Sequence, residues 1–396
     1  MATYLDHAAT TPVRDSVISL YAQKLQSIGN PSSVHGFGQK ARQVVEQARE
    51  DIAQAINCDR NEVVFTSGGT ESDNLAVKGI FASRNEGLPS ADGVPPRSIV
   101  ISSGAEHHAV IEPIEWLVAE RGAEAVWIPL DSSGQPDLIW LEGFLAENAH
   151  RVALISLMWA NNETGSVTDV AAVAALAAKF EVPVHSDAIA AVGHCKVDFA
   201  ASGLAAMSLT GHKIGAPVGR GALIVGRKTK LQGQVQGGSH ERGLRAGTMD
   251  PAGSAALAAA VTFAVAELDQ NLDLWRGLQQ RLIDGVKAIA PETVVVAQGG
   301  QHLYNITNFI FDGCSGDSML FMLDSAGVAV SNGSACNAGV TSASHVLEAL
   351  GFSTRAASSC VRVSFGYETT IADIDAFLDA LPTAVQSAKT AGFTSV

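Results

Sequence analysis

Residues 62–79 read EVVFTSGGTESDNLAVKG, and this stretch decides the fold. Four residues, Glu62 to Phe65, are the end of an apolar strand of the kind that sits inside a sheet. The strand runs into Thr66, Ser67, Gly68 and Gly69, where the glycines allow close backbone approach. Thr70 then opens a helix with Glu71 and Asp73 in its first turns. A helix start with free amide donors and a hydroxyl is a ready anion site, typically for phosphate. The same residues serve equally as an ordinary capped turn.

Outward from this unit the pattern repeats. Apolar strand candidates occupy 98–103, 125–129, 152–159, 182–187, 205–211 and 221–226, with helical stretches such as TESDNLAVKGIFAS and VTDVAAVAALAAKF between them. Strands alternating with helices predict βαβ units and a mostly parallel sheet covered on both faces, with seven strands. Ligands of such sheets bind beyond the carboxyl ends of the strands. Near residue 250 the pattern changes. Residues 252–289 form one long helical stretch with room for a bend, followed by strand-like TVVVAQ, NITNFIF, GVAVSN and CVRVSFG. The fold class is therefore α/β, with a large domain over 15–255. A smaller α/β domain takes 1–14 together with 256–396. No internal repeat is present, and LPSADGVPPRS (88–98) is expected to be an exposed loop.

Composition narrows the function. The chain has 396 residues, 47% hydrophobic and 17% charged, which suits a globular protein with ample core. A formal net charge of −14 argues against direct nucleic-acid binding as the default. The five cysteines, Cys58, Cys195, Cys314, Cys336 and Cys360, are scattered and fall into no zinc or disulfide spacing. The N-terminus lacks a basic segment followed by an apolar core, and the longest apolar run is too short and polar to span a bilayer. A cytoplasmic protein with no membrane contact is expected.

Three further strand ends carry chemistry. VPVHSDA places Asp187 at the end of an apolar strand, where an unpaired carboxylate needs a cationic or metal partner. MSLTGHKIGAPVGRG places Thr210, His212 and Lys213 before a glycine-rich turn. A desolvated lysine there would have a depressed pKa and could form an imine with an aldehyde. Alone, Lys213 is also compatible with a solvated loop lysine. His185, Asp187 and His212 are compatible with a hydrogen-bonded structural cluster or a zinc site. Together, a phosphate cradle, an aspartate able to pair with a ring nitrogen and an imine-forming lysine are the three contacts that pyridoxal phosphate requires. Cys336 stands out in SNGSACNAG (331–339), a run of small and polar residues that offers a thiol little to pack against. Cys58 and Cys360 have the setting of packing residues.

With these motifs the chain resembles a cysteine desulfurase of the iron–sulfur assembly type, within the class V aminotransferase group of fold-type I pyridoxal-phosphate enzymes. The likeness rests on YLDHAATTP, GNPSSVHGFGQKAR, VVFTSGGTESDNLAVKG, AEHHAV, NNETG, HSDA, GHKIGAPVGRGAL, GGSHERGLRAGT, SNGSAC, SHVLEALG and VRVSFG, in that order. It implies that Lys213 bonds the cofactor aldehyde, that Asp187 pairs with the ring nitrogen and that His107 stacks over the ring. It assigns Gly69, Thr70, Thr210 and His212 to the phosphate, and Thr248 to the phosphate of a neighbouring subunit, so that the active unit is a homodimer. Asn162 also touches the cofactor and, with Arg362, holds the substrate, Arg362 by its carboxylate. Cys336 accepts sulfur from L-cysteine as a persulfide and passes it to an acceptor protein, an iron–sulfur scaffold or a dedicated client; tRNA thiolation pathways are also compatible. No resident metal is implied.

The sequence departs from the family at Ala190, where the family carries a glutamine that donates to the cofactor's phenolic oxygen. Loss of that donor implies a raised pKa for the lysine–cofactor imine. Asn332 and the Ser239–His240 pair are milder departures. Selenocysteine lyase is the nearest alternative, ahead of a plain class V aminotransferase and a zinc hydrolase built on His185, Asp187 and His212.

Overall fold

The computed structural model describes residues 2–90, 93–333 and 343–391, so Cys336 lies outside the described residues. Twelve strands are seen among them: β1 (Thr3–Tyr4), β2 (Val63–Thr66), β3 (Ile99–Ser102), β4 (Glu124–Trp127), β5 (Val152–Ser156), β6 (Val184–Asp187), β7 (Ala206–Thr210), β8 (Gly221–Val225), β9 (Val294–Val295), β10 (Ile306–Ile310), β11 (Val328–Ala329) and β12 (Cys360–Ser364). Seven of them form one sheet in the order β2-β8-β7-β6-β5-β3-β4. All neighbours in it are parallel except β8, which runs antiparallel to β2 and β7. All seven strands expected from the sequence are present, mostly shorter than expected: β5 stops at Ser156, before residues 157–159, and β4 begins one residue earlier, at Glu124.

Strand patterning explains why the sheet is covered twice. Val63, Ile99, Ile101, Val152, Val184, Met207 and Ile224 pack into one core, and their alternates Val64, Val100, Leu154, Ala206 and Leu223 pack into another. With apolar residues at both phases of the two-residue period, both faces must be hidden from water. The Gly69–Asn85 and His108–Arg121 helices cover the second face through Leu75, Ile80, Val110 and Ile114.

The long helical stretch divides into Pro251–Ala266 and Leu268–Ile289, which meet at 64°. Asp250 caps the first with Pro251 at its start. Its Ala-rich body is buried against the large sheet, while Trp275, Leu278, Leu282 and Val286 of the second helix join another core. That core covers the three-stranded antiparallel sheet β12-β10-β9 together with Phe377 and Leu381 of the Ile371–Ala391 helix. β1 pairs in parallel with β11, which ties the N-terminus to this half of the chain. Among the described residues no single helix is long and apolar enough to cross a membrane.

Candidate active site

One face of the large sheet turns polar at the carboxyl ends of its strands. His185 and Asp187 alternate along β6 onto the face under the Gly69–Asn85 helix, and Asp187 stands opposite Ser208 of β7. His185 Nδ1 lies 2.9 Å from Ser156 Oγ, and its Nε2 lies 3.0 Å from Ser208 Oγ. Thr210 ends the same face of β7. Beyond this band opens a cavity of about 590 Å³, a size usual for a small-molecule site.

Lys213, Asp187, His107, Gly69, Thr70, Asn162, Thr210, His212 and Arg362 all reach the wall of that cavity. They come from six separate stretches of chain; the doubly covered sheet brings all but Arg362 to one edge, and Arg362 comes from the smaller sheet. Gly69 begins its helix so close to the Ile189 side chain that a Cβ at this position would collide with it. Any other residue there would require the tip of the Ile189 side chain to move; Thr70 follows on the cavity wall. Thr248 is set apart. It is exposed and lines a separate hollow of about 100 Å³ with Ser67, Arg245 and Gly247. Arg245, three residues earlier, ion-pairs with Glu71 at 2.8 Å, which holds this segment over the first turn of the Gly69–Asn85 helix.

Burial sets the charge states. Lys213 is pushed down to about 8, because loss of water outweighs the opposing attraction of Asp187. Its amine is therefore substantially neutral just above physiological pH. Burial raises the Asp187 carboxyl, against the Ile189 N–H it accepts at 2.8 Å and the pull of Lys213. His107 caps the His108–Arg121 helix by accepting the Ala109 N–H on Nδ1 at 3.0 Å. The neutral ring therefore carries its proton on Nε2. Burial and then the Lys213 charge push its pKa down to about 4. His212 is likewise brought to about 4, first by burial and then by Lys213.

Arg362 of β12 reaches the cavity from the smaller sheet. Its Nη2 meets Asp6 Oδ1 at 2.7 Å and its Nη1 donates to the Asn162 carbonyl at 3.0 Å, while the buried Nε has no partner. Backbone bonds between Ser331 and Arg362 fix the segment ahead of Cys336 against β12. Asn332 and Gly333 line the cavity.

His185 and three of the cysteines stand apart from the cavity chemistry. His185 spends both ring nitrogens on serine hydroxyls, and burial holds it neutral at about 3. It belongs to a structural cluster, and among the described residues no three His, Cys, Asp or Glu side chains converge on a metal position. Cys58 and Cys360 sit in packed surroundings whose burial pushes both thiols up to about 12, as it does Cys195. None of the three is prepared as a thiolate. Asp6, Glu106 and Asp73 were not singled out from sequence. Asp6 follows the short strand β1, and its role shows only when β12 is placed beside it.

The residues present fit pyridoxal phosphate: a partly neutral lysine amine, a buried carboxyl open to the same cavity, a neutral imidazole, and a helix start whose Gly69 and Thr70 line that cavity. The class-V aminotransferase family model matches residues 3–377. An IscS-like cysteine desulfurase of Mycobacterium tuberculosis is 43% identical over 99% of this chain and 98% of that protein. The cysteine desulfurase IscS of Methanosarcina thermophila is 35% identical over 98% of this chain and 93% of its own length. A NifS-like protein from Rickettsia africae superposes with a TM-score of 0.85 at 28% identity, over 98% of this chain and 100% of that one. A protein named SspA, solved in complex with cysteine, superposes with a TM-score of 0.77 at 29% identity, over 92% and 98%.

Proposed function

We propose that this chain, which belongs to the class-V aminotransferase family, is a pyridoxal-phosphate-dependent cysteine desulfurase that converts L-cysteine to L-alanine and keeps the sulfur on Cys336. The observation that carries the reading is the joint wall of one cavity. Lys213, Asp187, His107 and Arg362 line it, and so does Gly333, three residues before Cys336. Three residues span at most about 10 Å, so the thiol is within chain reach of whatever the cavity holds.

The residues divide the work by chemistry. Gly69, Thr70, Thr210 and His212 would hold the phosphate, through the helix start, the threonine hydroxyls and the imidazole. Asp187 would pair with the ring nitrogen, and His107 would offer its Nε2–H to the bound group. Pyridoxal phosphate, when bound, supplies an aldehyde for amine exchange and an electron sink for charge at the substrate Cα. Arg362 grips the substrate carboxylate with N–H groups not used on Asp6 and Asn162, and Asn162 flanks it. Lys213, neutral above about pH 8, takes the proton from Cα and returns it to the departing product. Cys336 attacks the substrate sulfur as thiolate; the substrate C–S bond breaks as an S–S bond forms. The products are alanine and a Cys336 persulfide, with no outside oxidant or reductant.

A homodimer is part of this reading. Thr248 lines a hollow apart from the cavity in its own chain, as expected of a residue that serves a neighbouring copy's phosphate. The division into a large domain over 15–255 and a smaller one over 1–14 with 256–396 is part of this reading; the two sheets have separate cores, and Ala256, Leu257, Ala260, Val261 and Ala264 pack in that of the large sheet. Sulfur leaves Cys336 for an acceptor protein, an iron–sulfur scaffold or a dedicated client, in the cytoplasm. L-Cysteine rather than L-selenocysteine is the substrate in the names of the desulfurases similar to this chain. The test is alanine release from L-cysteine with a dithiol reductant present. Wild type should turn over and Cys336→Ser should not; equal alanine from both would overturn the assignment.

A further inference from the structure

Behind Asp187 lies a second acid that the desulfurase reading does not use. Asp73 stands one turn after Gly69 in the Gly69–Asn85 helix and has no exposed surface. Its Oδ1 lies 3.6 Å from His185 Nε2, and neither of its oxygens accepts a hydrogen bond of normal geometry, although Ser208 lies close by. His185 is committed to Ser156 and Ser208 and is uncharged, so it is no counter-ion. The charges that bear on Asp73 are Asp187, Glu106 and, in opposition, Lys213.

Two carboxylates in one water-free cluster do not both ionise; one holds the proton. Asp187 has the Ile189 N–H as donor and borders the cavity, whereas Asp73 has neither advantage. Burial, and then the charge of Asp187, raise Asp73 well above the ordinary carboxyl range. Glu106 keeps two donors on one oxygen, the Ser103 hydroxyl and the Met158 N–H, but burial raises it to about 8, so at pH 7 it too holds its proton.

We propose that Asp73 is a positioning residue that carries a proton at neutral pH, so that the single negative charge of this cluster rests on Asp187, facing the cavity. An ionised Asp73 would draw a proton onto Lys213, since its charge acts to raise that amine. A neutral one leaves the amine free to react. The proposal rests on the cofactor site described above only for its consequence, and its first test needs neither cofactor nor turnover.

The test is the infrared carbonyl stretch of protonated carboxyls in the cofactor-free protein at pH 7, with and without ¹³C-labelled aspartate. The label moves an aspartyl band and leaves that of Glu106 in place. One labelled band is expected, absent in Asp73→Asn and retained in Asp187→Asn. A band absent from wild type, retained in Asp73→Asn or lost in Asp187→Asn overturns the proposal. If Asp73→Asn does not fold, Asp187→Asn alone decides. As an independent readout, cofactor affinity by equilibrium dialysis should stay within about threefold of wild type in Asp73→Asn, the isostere of a neutral acid. It should fall at least about tenfold in Asp187→Asn, a loss of charge-assisted pairing. Equal losses in the two variants overturn it.

Discussion

The cavity has two walls of different character. The wall from the large sheet carries Asp187, Lys213 and His107, whose ionisation is governed first by burial. The wall from the smaller sheet carries Arg362, pinned by Asp6 at 2.7 Å and by the Asn162 carbonyl. Burial makes groups reactive, because it removes charge from an amine and an imidazole that must exchange protons. Pairing makes a group dependable, because a guanidinium stays charged and keeps its orientation. On the proposed function, chemistry falls to one wall and recognition to the other.

The largest effect that would break this division is on the first wall. Lys213→Ala should lower alanine formation on the order of 10³-fold or more, as expected when a proton-transfer and bonding group is lost. A loss confined to KM would move Lys213 to the recognition wall. Next, Arg362→Lys keeps the charge and removes the fork. The KM for L-cysteine should rise about 10- to 100-fold with a smaller change in kcat, the worth of one charge-assisted bidentate contact. A fall in kcat alone would contradict the assignment of Arg362 to recognition. Asp6→Asn keeps the shape and removes the countercharge, so a smaller rise in KM, about three- to tenfold, is expected from the same assay.

The fourth prediction sharpens the burial side through pH. The rate at which the cofactor-free protein takes up pyridoxal phosphate should rise with pH around about 8, where Lys213 loses its proton. His107 is already neutral above about pH 4 and contributes no step in this range. Because the Asp187 charge raises the Lys213 pKa, Asp187→Asn should move the midpoint below 8. The smallest effect concerns Ala190, buried at the cavity wall where the family carries glutamine. Restoring a donor with Ala190→Gln should lower the pH midpoint of the visible absorbance of the lysine-bound cofactor; equal midpoints would remove this role for position 190.

The two walls were not equally legible in the sequence. The first is written in short motifs, because a strand, its turn and the next helix are contiguous: EVVFTSGGTESDN and MSLTGHK carry their chemistry within about a dozen residues. Apolar runs alternating with helices also disclosed the doubly covered sheet. The second wall is assembled from remote pieces. Arg362 and its partner Asp6 are 356 positions apart, and no local pattern announces their pairing. Asp73 lies inside a quoted motif, yet reads there as an ordinary acid in the early turns of a helix. Only the packing of that helix over β6 shows that the side chain is fully buried, with the uncharged His185 as its nearest basic neighbour. Resemblance to a family supplied the roles of Arg362, Asn162 and Thr248, which spacing alone could not.

The most direct measurement is the intact mass of Cys336-containing peptide after brief exposure of the loaded enzyme to L-cysteine without reductant. The account predicts a gain of one sulfur on Cys336, matched by one equivalent of alanine, and transfer of that sulfur to a thiol acceptor added afterwards. Alanine formed in full with Cys336 unmodified, or the sulfur found on Cys360 or Cys195 instead, would contradict it.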